Sequence, residues 1–265
     1  MKKCTAIIVA LAFTLAAVHA KDWVEYEAKP GPGHGKHIVF LAGDEEYRSE
    51  EALPQLAKIL YQRHGFKCTV LFSVDTNGLI NPDAGGSLTH PEALDSAEAI
   101  VMSLRFRHWP EETMAKFAAA VERGVPIIGL RTSTHAFNSL PKGSAFEKWN
   151  SGNKGGFGKQ FLGETWVSHW GNHKREATRA VFEASTKDEP ILRGVEDVFG
   201  TTDVYEAAPP ADAKILFRGQ VLKGMTPTNA PADYKKKNAA KVEQGVNDPM
   251  MPVAWTREVK NDAGR

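Results

Sequence analysis

Three short segments of this sequence combine acids, guanidinium groups and a histidine, which are side chains that bind oxygen-rich ligands and move protons. They are residues 44–48 (Asp-Glu-Glu-Tyr-Arg), 105–108 (Arg-Phe-Arg-His) and 131–135 (Arg-Thr-Ser-Thr-His). A guanidinium fork matches pairs of oxygen atoms, and a histidine can accept or donate a proton near neutral pH. The three segments therefore predict a site for a polyhydroxylated or anionic ligand.

Within these segments we assign His135 and Glu45 as candidate catalytic residues that move protons. His135 could also begin a helix, whose N-terminus favours oxyanions. The candidate ligand-binding residues, here and in the second cluster described next, are Asp44, Tyr47, Arg48, Arg105, Arg107, Arg131, Thr132, Glu164 and His169. Two structural alternatives stay open: a salt-bridge network among the charged residues, and a histidine hydrogen-bonded beneath a loop.

A second cluster, residues 164–173, contains Glu164, His169 and His173. Two histidines four residues apart can share a metal ion on a helix, but Gly171 and Asn172 between them argue against a helix. The cluster could bind a metal with Glu164 as third ligand, or form a second lip of the same cleft. Four tryptophans fall in predicted loops, where they either stack on a ligand or pack into the core: Trp109, Trp149, Trp166 and Trp170.

Several functional classes are not indicated. The sequence has no G-x-S-x-G, H-E-x-x-H, phosphate-loop or dinucleotide-binding motif. Its 33 Lys and Arg residues against 32 Asp and Glu residues give a net charge of +1, so no nucleic-acid partner is expected. The run at residues 235–237 (Lys-Lys-Lys) is predicted to be a solvated loop. We expect no cofactor.

The N-terminus has the features of an export signal. Lys2 and Lys3 precede an apolar stretch, residues 7–17, and small residues flank His19 before a cleavage point after Ala20. We therefore expect residues 1–20 to be a signal peptide and the mature protein to be periplasmic or secreted, without a membrane partner; an uncleaved anchor is the alternative. Only Cys68 then remains, and it is expected to be a buried, inert thiol.

The elements that must position the chemical groups alternate between strands and helices. After an irregular leader, residues 21–36, short apolar runs at residues 37–43, 99–104 and 125–130 read as buried strands. Helices are predicted to begin near Ser49 and Pro110. This alternation indicates an α/β domain over residues 37–265 with a parallel sheet, in which ligands bind beyond the carboxyl ends of the strands.

The second half of the sequence is less regular. Strands are predicted at residues 178–183, 214–218 and 252–255, because β-branched and aromatic residues are common there. Residues 144–158 are predicted to form a long surface loop, and residues 224–248 a mobile one.

Four segments together resemble the ThuA-like (trehalose-utilisation) family: residues 38–43, 126–135, 188–194 with the following Asp203-Val-Tyr205, and 251–255. The resemblance runs from about Lys36 to the C-terminus. It implies the fold of the class I glutamine amidotransferase-like superfamily, a three-layer αβα arrangement with a mainly parallel, flavodoxin-like sheet. Members usually end in a further strand and helix, so the domain is expected to be truncated at its C-terminus.

Amidotransferases of this fold hold a nucleophile in a Gly-x-Cys turn, whereas this sequence has Gly129-Leu130-Arg131 there. Arginine cannot act as a nucleophile, so the resemblance implies that glutaminase activity is absent. Ser133 and His135 could form a serine–histidine pair, but no acid that would orient the histidine is evident.

The resemblance implies a role in carbohydrate utilisation, on trehalose, similar disaccharides or their keto forms. Three hypotheses remain open. The first is an exported enzyme in which arginines orient sugar oxygens while His135 and Glu45 move protons. The second is a non-catalytic module that binds a carbohydrate or docks to a partner. The third is a metal-assisted hydrolase that uses His169, His173 and Glu164.

Overall fold

A mostly parallel sheet forms the centre of the protein. The computed structural model describes residues 21–260, so the predicted signal peptide and the last five residues lie outside the described part. The sheet has the order β1-β3-β2-β4-β5, in which β2 to β5 are parallel and β1 runs antiparallel to β3. Its strands are β1 (Val24–Tyr26), β2 (His37–Gly43), β3 (Lys67–Phe72), β4 (Ala99–Leu104) and β5 (Ile127–Gly129). The predicted α/β class with a mainly parallel sheet is confirmed.

Two α-helices connect the parallel strands, α1 (Ser49–His64) and α2 (Glu111–Glu122). α1 ends at Gly65 with φ 80°, a left-handed conformation that glycine adopts without steric cost. α2 begins directly after Pro110, whose fixed φ suits a helix start. Both helices therefore begin close to the predicted residues.

Successive residues of β2 belong to two different core clusters, because successive strand residues point in opposite directions. Phe40 of β2 packs with Leu53 of α1, whereas the next residue, Leu41, packs with Met114 and Phe117 of α2. Numbered along the chain, the four parallel strands have the order second, first, third, fourth, which is consistent with a flavodoxin-like fold. The order changes direction between β2 and β4, and this is where such folds bind ligands.

The predicted strands of the second half form a separate antiparallel sheet. Its order is β11-β8-β6-β7, with β6 (Thr178–Phe182), β7 (Phe199–Gly200), β8 (Lys214–Val221) and β11 (Met251–Thr256). Burial in β8 partly alternates, as expected for a sheet with one covered face. Leu216 and Phe217 pack in one small cluster and Val221 in another.

Three segments differ from the sequence-based expectation. The leader is not wholly irregular, because β1 lies within it and pairs with β3. Residues 144–158 are not only a surface loop: Trp149 and Phe157 are buried against Phe117 and Phe137. These large aromatic side chains bury enough apolar surface to hold this otherwise polar segment against the core.

The segment of residues 224–248 contains a hairpin of β9 (Lys235–Lys237) and β10 (Glu243–Gly245), so the lysine run is a strand and not a loop. The Lys236 ammonium group explains the difference: it donates a hydrogen bond to the His169 carbonyl oxygen at 2.8 Å and lies over the Trp170 ring. Ala232 and Val246, on either side of the hairpin, are buried with Trp170.

Cys68 is buried in β3, as predicted. Burial raises the pKa of its thiol to about 11, which keeps it protonated near neutral pH. Between residues 21 and 260, no helix combines the length and the apolar character that crossing a membrane requires.

Candidate functional site

The three chemical segments of the sequence meet at one edge of the central sheet. Asp44 directly follows β2, Arg105 directly follows β4, and Arg131 begins the turn after β5. These strands are neighbours and run in parallel, so their carboxyl ends lie side by side. The sequence-based prediction that these segments lie close together is therefore correct in the structure.

Asp44 and Thr132 are buried at this edge of the sheet and stabilise it through hydrogen bonds. Asp44 is fully buried, and one carboxylate oxygen accepts hydrogen bonds from the N–H groups of Glu46, at 2.9 Å, and Tyr47, at 3.3 Å. The other oxygen accepts the hydroxyl hydrogen of Thr132, which is also buried. Because these polar atoms already have partners inside the protein, both residues position the site instead of facing its opening.

Arg107 and Glu45 belong to a salt-bridge network, one of the two alternatives that the sequence left open. Arg107 is buried and donates to the Pro82 carbonyl oxygen at 2.8 Å and the Ser73 hydroxyl at 3.2 Å. Glu45 forms an ion pair with Arg105 and lies 3.7 Å from the Arg107 guanidinium. Burial lowers the pKa of Arg107, although the nearby Glu45 opposes that effect.

Arg48 is not brought into the cluster. Its side chain is 72% exposed and pairs with Glu51 one turn along α1. Tyr47, by contrast, faces inward, and its hydroxyl lies 3.2 Å from the Thr202 hydroxyl.

Arg131 occupies the strand-to-helix turn with an unusual backbone conformation. Its φ of 40° lies in the left-handed region, which costs a residue with a side chain roughly 1 kcal/mol. Its guanidinium stacks between Tyr47, at 5.1 Å, and Tyr205, at 3.8 Å. It also donates to the Asp203 backbone carbonyl at 2.6 Å and to the Asp203 carboxylate at 3.0 Å. These contacts compensate for the backbone strain and point the side chain toward the second half of the protein.

His135 is the last residue of this turn, and it is only 6% exposed. Burial, together with the positive charge of Arg105, lowers the pKa of its imidazole to about 4, against an opposing effect of Glu46. The acid that influences His135 is thus Glu46, whereas Glu45, predicted to act with it, is paired with Arg105. At neutral pH His135 is uncharged.

The Thr134 hydroxyl lies 3.2 Å from the Arg131 carbonyl oxygen and 3.2 Å from Nδ1 of His135. When its hydrogen is donated to the carbonyl oxygen, the hydroxyl accepts from Nδ1. In that tautomer Nδ1 carries the proton and Nε2 has the free lone pair. Among residues 21–260, no side chain or backbone group makes a hydrogen bond to this Nε2.

Ser133 does not form a catalytic pair with His135. Its hydroxyl donates to the Met102 carbonyl oxygen at 2.9 Å and accepts from the Leu104 N–H at 3.3 Å. The side chain is fully buried and joins the end of β4 to the following turn. Its role is structural.

The second cluster meets the first through Asp203, which sequence reasoning did not assign to the site. Asp203 is buried, and its carboxylate lies 3.1 Å from Nδ1 of His169 and 2.9 Å from Nδ1 of His173. The other ring nitrogen of His173, Nε2, lies 2.8 Å from the Glu46 carboxylate. The only signal in the sequence was that Asp203 begins an Asp-x-Tyr segment in the family resemblance.

Glu164, which the sequence offered as a possible third metal ligand, lines the cavity described below but is not grouped with His169 and His173. It is buried, and one oxygen accepts from the Lys159 ammonium at 2.7 Å and the Thr165 N–H at 2.9 Å. Its other oxygen accepts from the Ala208 N–H at 2.8 Å. The structure therefore does not place Glu164 as a ligand beside the two histidines, because both carboxylate oxygens join residues 159–165 to the segment near residue 208.

The four tryptophans have separate roles. Trp109, Trp149 and Trp170 are buried and pack in the core. Trp166 is 42% exposed, and its ring centre lies 6.1 Å from that of His135 and 5.8 Å from that of His169. It is therefore the tryptophan that can offer a face to a ligand.

A cavity of about 600 Å³ adjoins the cluster, between the end of the central sheet and the antiparallel sheet. Ile128 of β5 and Val253 of β11 contribute apolar walls, and Arg131, Asp203 and Tyr205 contribute polar atoms. Arg131, Asp203 and Tyr205 therefore border both the cavity and the histidine cluster. Burial raises the pKa of the Tyr205 hydroxyl, so it remains protonated.

Comparison with known proteins gives a distant structural similarity. No protein-family model matches the sequence, and no curated protein matches it. The fold is similar to the crystal structure of a protein from Parabacteroides merdae described as ThuA-like, with 13% identity and a TM-score of 0.45. The similar region covers 84% of this chain and 75% of the other chain.

Proposed function

We propose that this chain is an exported ThuA-like protein that acts on a trehalose-like disaccharide or a related sugar derivative, without glutaminase activity. The family segments identified in the sequence support the assignment to this family. The three-layer αβα arrangement of that superfamily belongs to the same proposal. The segments after β2, β4 and β5, which apart from Arg48 converge at one edge of the sheet, support the location of the site.

The observation that carries the proposal is the environment of the His135 side chain. Its Nε2 lone pair has no partner within the described residues, and its ring lies 5.1 Å from Phe106 and 6.1 Å from Trp166. Phe106 and Trp166 are both partly exposed. A sugar presents apolar C–H faces and polar hydroxyl edges, so aromatic faces beside a few polar atoms suit it.

His135 would accept a hydrogen from a ligand hydroxyl. An uncharged imidazole with a free Nε2 can hold such a hydroxyl and receive its proton as negative charge develops on the oxygen. The Arg105 guanidinium, on the same edge, would stabilise that charge. Glutaminase chemistry is not proposed, because Arg131 stands in the nucleophile turn with its guanidinium bound to Asp203.

The first test is thermal unfolding of the purified protein with trehalose, other disaccharides and their keto forms. At a ligand concentration of about 100 times Kd, binding adds about 2.7 kcal/mol of stability. For a domain of this size that corresponds to a rise in Tm of roughly 5 to 10 °C. Trp166→Ala should reduce this rise, whereas His34→Ala, on the exposed leader, should leave it unchanged.

Product analysis with His135→Ala separates the enzyme from the binding module. An enzyme should lose turnover by a factor of about 100 or more while keeping part of its ligand-induced stabilisation. Equal stabilisation of all variants, or none with any of these sugars, would reject the site. Binding without turnover in the unmodified protein would favour the non-catalytic alternative.

A further inference from the structure

Three potential metal ligands converge on one point beside His135. One ring nitrogen of His169, one of His173 and a carboxylate oxygen of Asp203 lie within 4.8 Å of one another. The two histidine rings are 4.2 Å apart, centre to centre. His169 and His173 come from one loop and Asp203 from another, so the arrangement is a product of folding and not of helical spacing.

The distances from Asp203 to the two histidines are close to those that a transition-metal ion imposes. An ion about 2.1 Å from each ligand atom holds neighbouring ligand atoms about 3.0 to 3.4 Å apart in octahedral or tetrahedral geometry. The carboxylate of Asp203 lies 3.1 Å from the nearest nitrogen of His169 and 2.9 Å from that of His173. Little movement would be needed to replace the shared protons with one ion.

Glu46 supplies the second observation. Its carboxylate lies 2.8 Å from Nε2 of His173, on the side of the ring opposite to Asp203. A histidine that binds a metal through one nitrogen commonly donates the N–H of the other to a carboxylate, which fixes the tautomer and makes the ligand nitrogen more basic. With the Nε2 proton directed to Glu46, the Nδ1 lone pair of His173 faces Asp203.

We infer that His169, His173 and Asp203 bind one divalent first-row transition-metal ion, with Glu46 orienting His173. Two imidazoles and one carboxylate suit Zn²⁺ or Fe²⁺ and not Mg²⁺ or Ca²⁺, which prefer oxygen ligands alone. Asp203 is buried, whereas the His169 side chain is 34% exposed. Three protein ligands and an exposed side leave coordination positions for water or a ligand, as in catalytic metal sites.

The position of this metal site suggests that a bound ion would contact the sugar. The Tyr205 ring lies 5.5 Å from the His169 ring and 6.2 Å from the His135 ring, so His169 and His135 both lie beside one aromatic side chain. A bound ion could hold a sugar oxygen while His135 accepts a hydrogen from a neighbouring hydroxyl. This role rests on the proposed function, whereas metal binding itself does not.

The alternative is a metal-free ion-pair network. Arg131 already donates to Asp203, and a doubly protonated His173 could bridge Glu46 and Asp203. The two interpretations differ in what they predict for added metal, because a network of this kind would bind Zn²⁺ no better than any pair of surface histidines.

The test is a calorimetric titration of the chelator-stripped protein with Zn²⁺ alone, followed by visible absorption after substitution with Co²⁺. We expect one Zn²⁺ per chain and a Co²⁺ spectrum that indicates nitrogen and oxygen ligands. His169→Gln and His173→Gln should each weaken Zn²⁺ binding by at least a hundredfold. His169 is partly exposed, so His169→Gln should fold, and urea unfolding of the metal-free variants verifies this.

Glu46→Gln and His34→Gln complete the set. Glu46→Gln should weaken Zn²⁺ binding by about ten- to a hundredfold without changing the stoichiometry, and His34→Gln, in the leader before β2, should have no effect. The proposal would be overturned if His169→Gln and His173→Gln each bound Zn²⁺ with an affinity within about threefold of that of the unmodified protein. The titration contains no sugar, so its failure leaves the sugar proposal standing, and failure of the sugar screen leaves the metal result standing.

Discussion

The low pKa of His135 predicts that this one side chain makes the protein less stable in mild acid. Folding lowers the pKa from about 6.5 to about 4, mainly because the ring is buried. Between these two values the unfolded chain binds a proton that the folded protein does not bind. The free energy of unfolding therefore falls as the pH is lowered through this range. Above pH 7 the imidazole is neutral in both states and makes no such contribution.

The magnitude follows from the two pKa values. A shift of one unit corresponds to 1.36 kcal/mol, so the full effect of His135 is about 3 kcal/mol once the pH is below both values. At pH 5 the expected loss of stability is about 2 kcal/mol, since the folded-state pKa has not yet been crossed. The charged groups that act on the ring are Arg105, Arg131, His169 and Glu46.

The assay is urea unfolding of the unmodified protein and of His135→Gln at pH 7.5 and pH 5, with tryptophan fluorescence as the probe of unfolding. Glutamine does not titrate, so the difference in stability between the two pH values should be about 2 kcal/mol smaller in His135→Gln. Packing losses in the variant are the same at both pH values and cancel. His34→Gln, which alters an exposed histidine, should behave as the unmodified protein does. An identical pH dependence in His135→Gln and the unmodified protein would refute the reasoning.

Other predictions concern positions that fold the site. Gly158→Ala should destabilise the protein by roughly 2 to 4 kcal/mol in urea unfolding, because a Cβ there would overlap the Thr134 carbonyl oxygen; Gly152→Ala, where a Cβ meets open space, is the control, and equal stabilities would contradict the packing described. The Cys68 thiol, with its pKa raised to about 11, should react with a thiol reagent at pH 8 only in denaturing urea; fast labelling of the folded protein would show that it is accessible. Ser133→Ala should cost about 1 kcal/mol of stability through two lost hydrogen bonds, and any sugar-induced rise in Tm should remain, whereas its loss would place the hydroxyl in the site.

Local patterns in the sequence were sufficient for most of the central sheet. The apolar runs at residues 37–43 and 99–104 form β2 and β4, and α1 begins at Ser49, because strand burial and helix initiation depend on neighbouring residues. The same patterns failed for the lysine run at residues 235–237. Its strand pairs with β10, and the Lys236 ammonium binds the His169 carbonyl oxygen, 67 residues away in the sequence.

The candidate site was predicted in part. That the segments after β2, β4 and β5 meet follows from parallel strands, whose carboxyl ends share one edge. Which acid faces which base did not follow from this rule: Glu45 pairs with Arg105, while Glu46, the next residue, faces His173. Adjacent side chains in a turn point in different directions, so neither spacing nor residue type distinguishes the two.

The sequence by itself determined the α/β class, the edge of the sheet where polar groups gather, and the absence of a thiol nucleophile at residue 131. The tertiary structure alone decided that Asp203, and not Glu164, faces the two histidines. Arg131 and Asp203 are 72 residues apart, and Glu46 and His173 are 127 residues apart. Contacts across such distances depend on how the second half packs against the sheet, and that packing is fixed by the summed burial of many side chains instead of any local pattern.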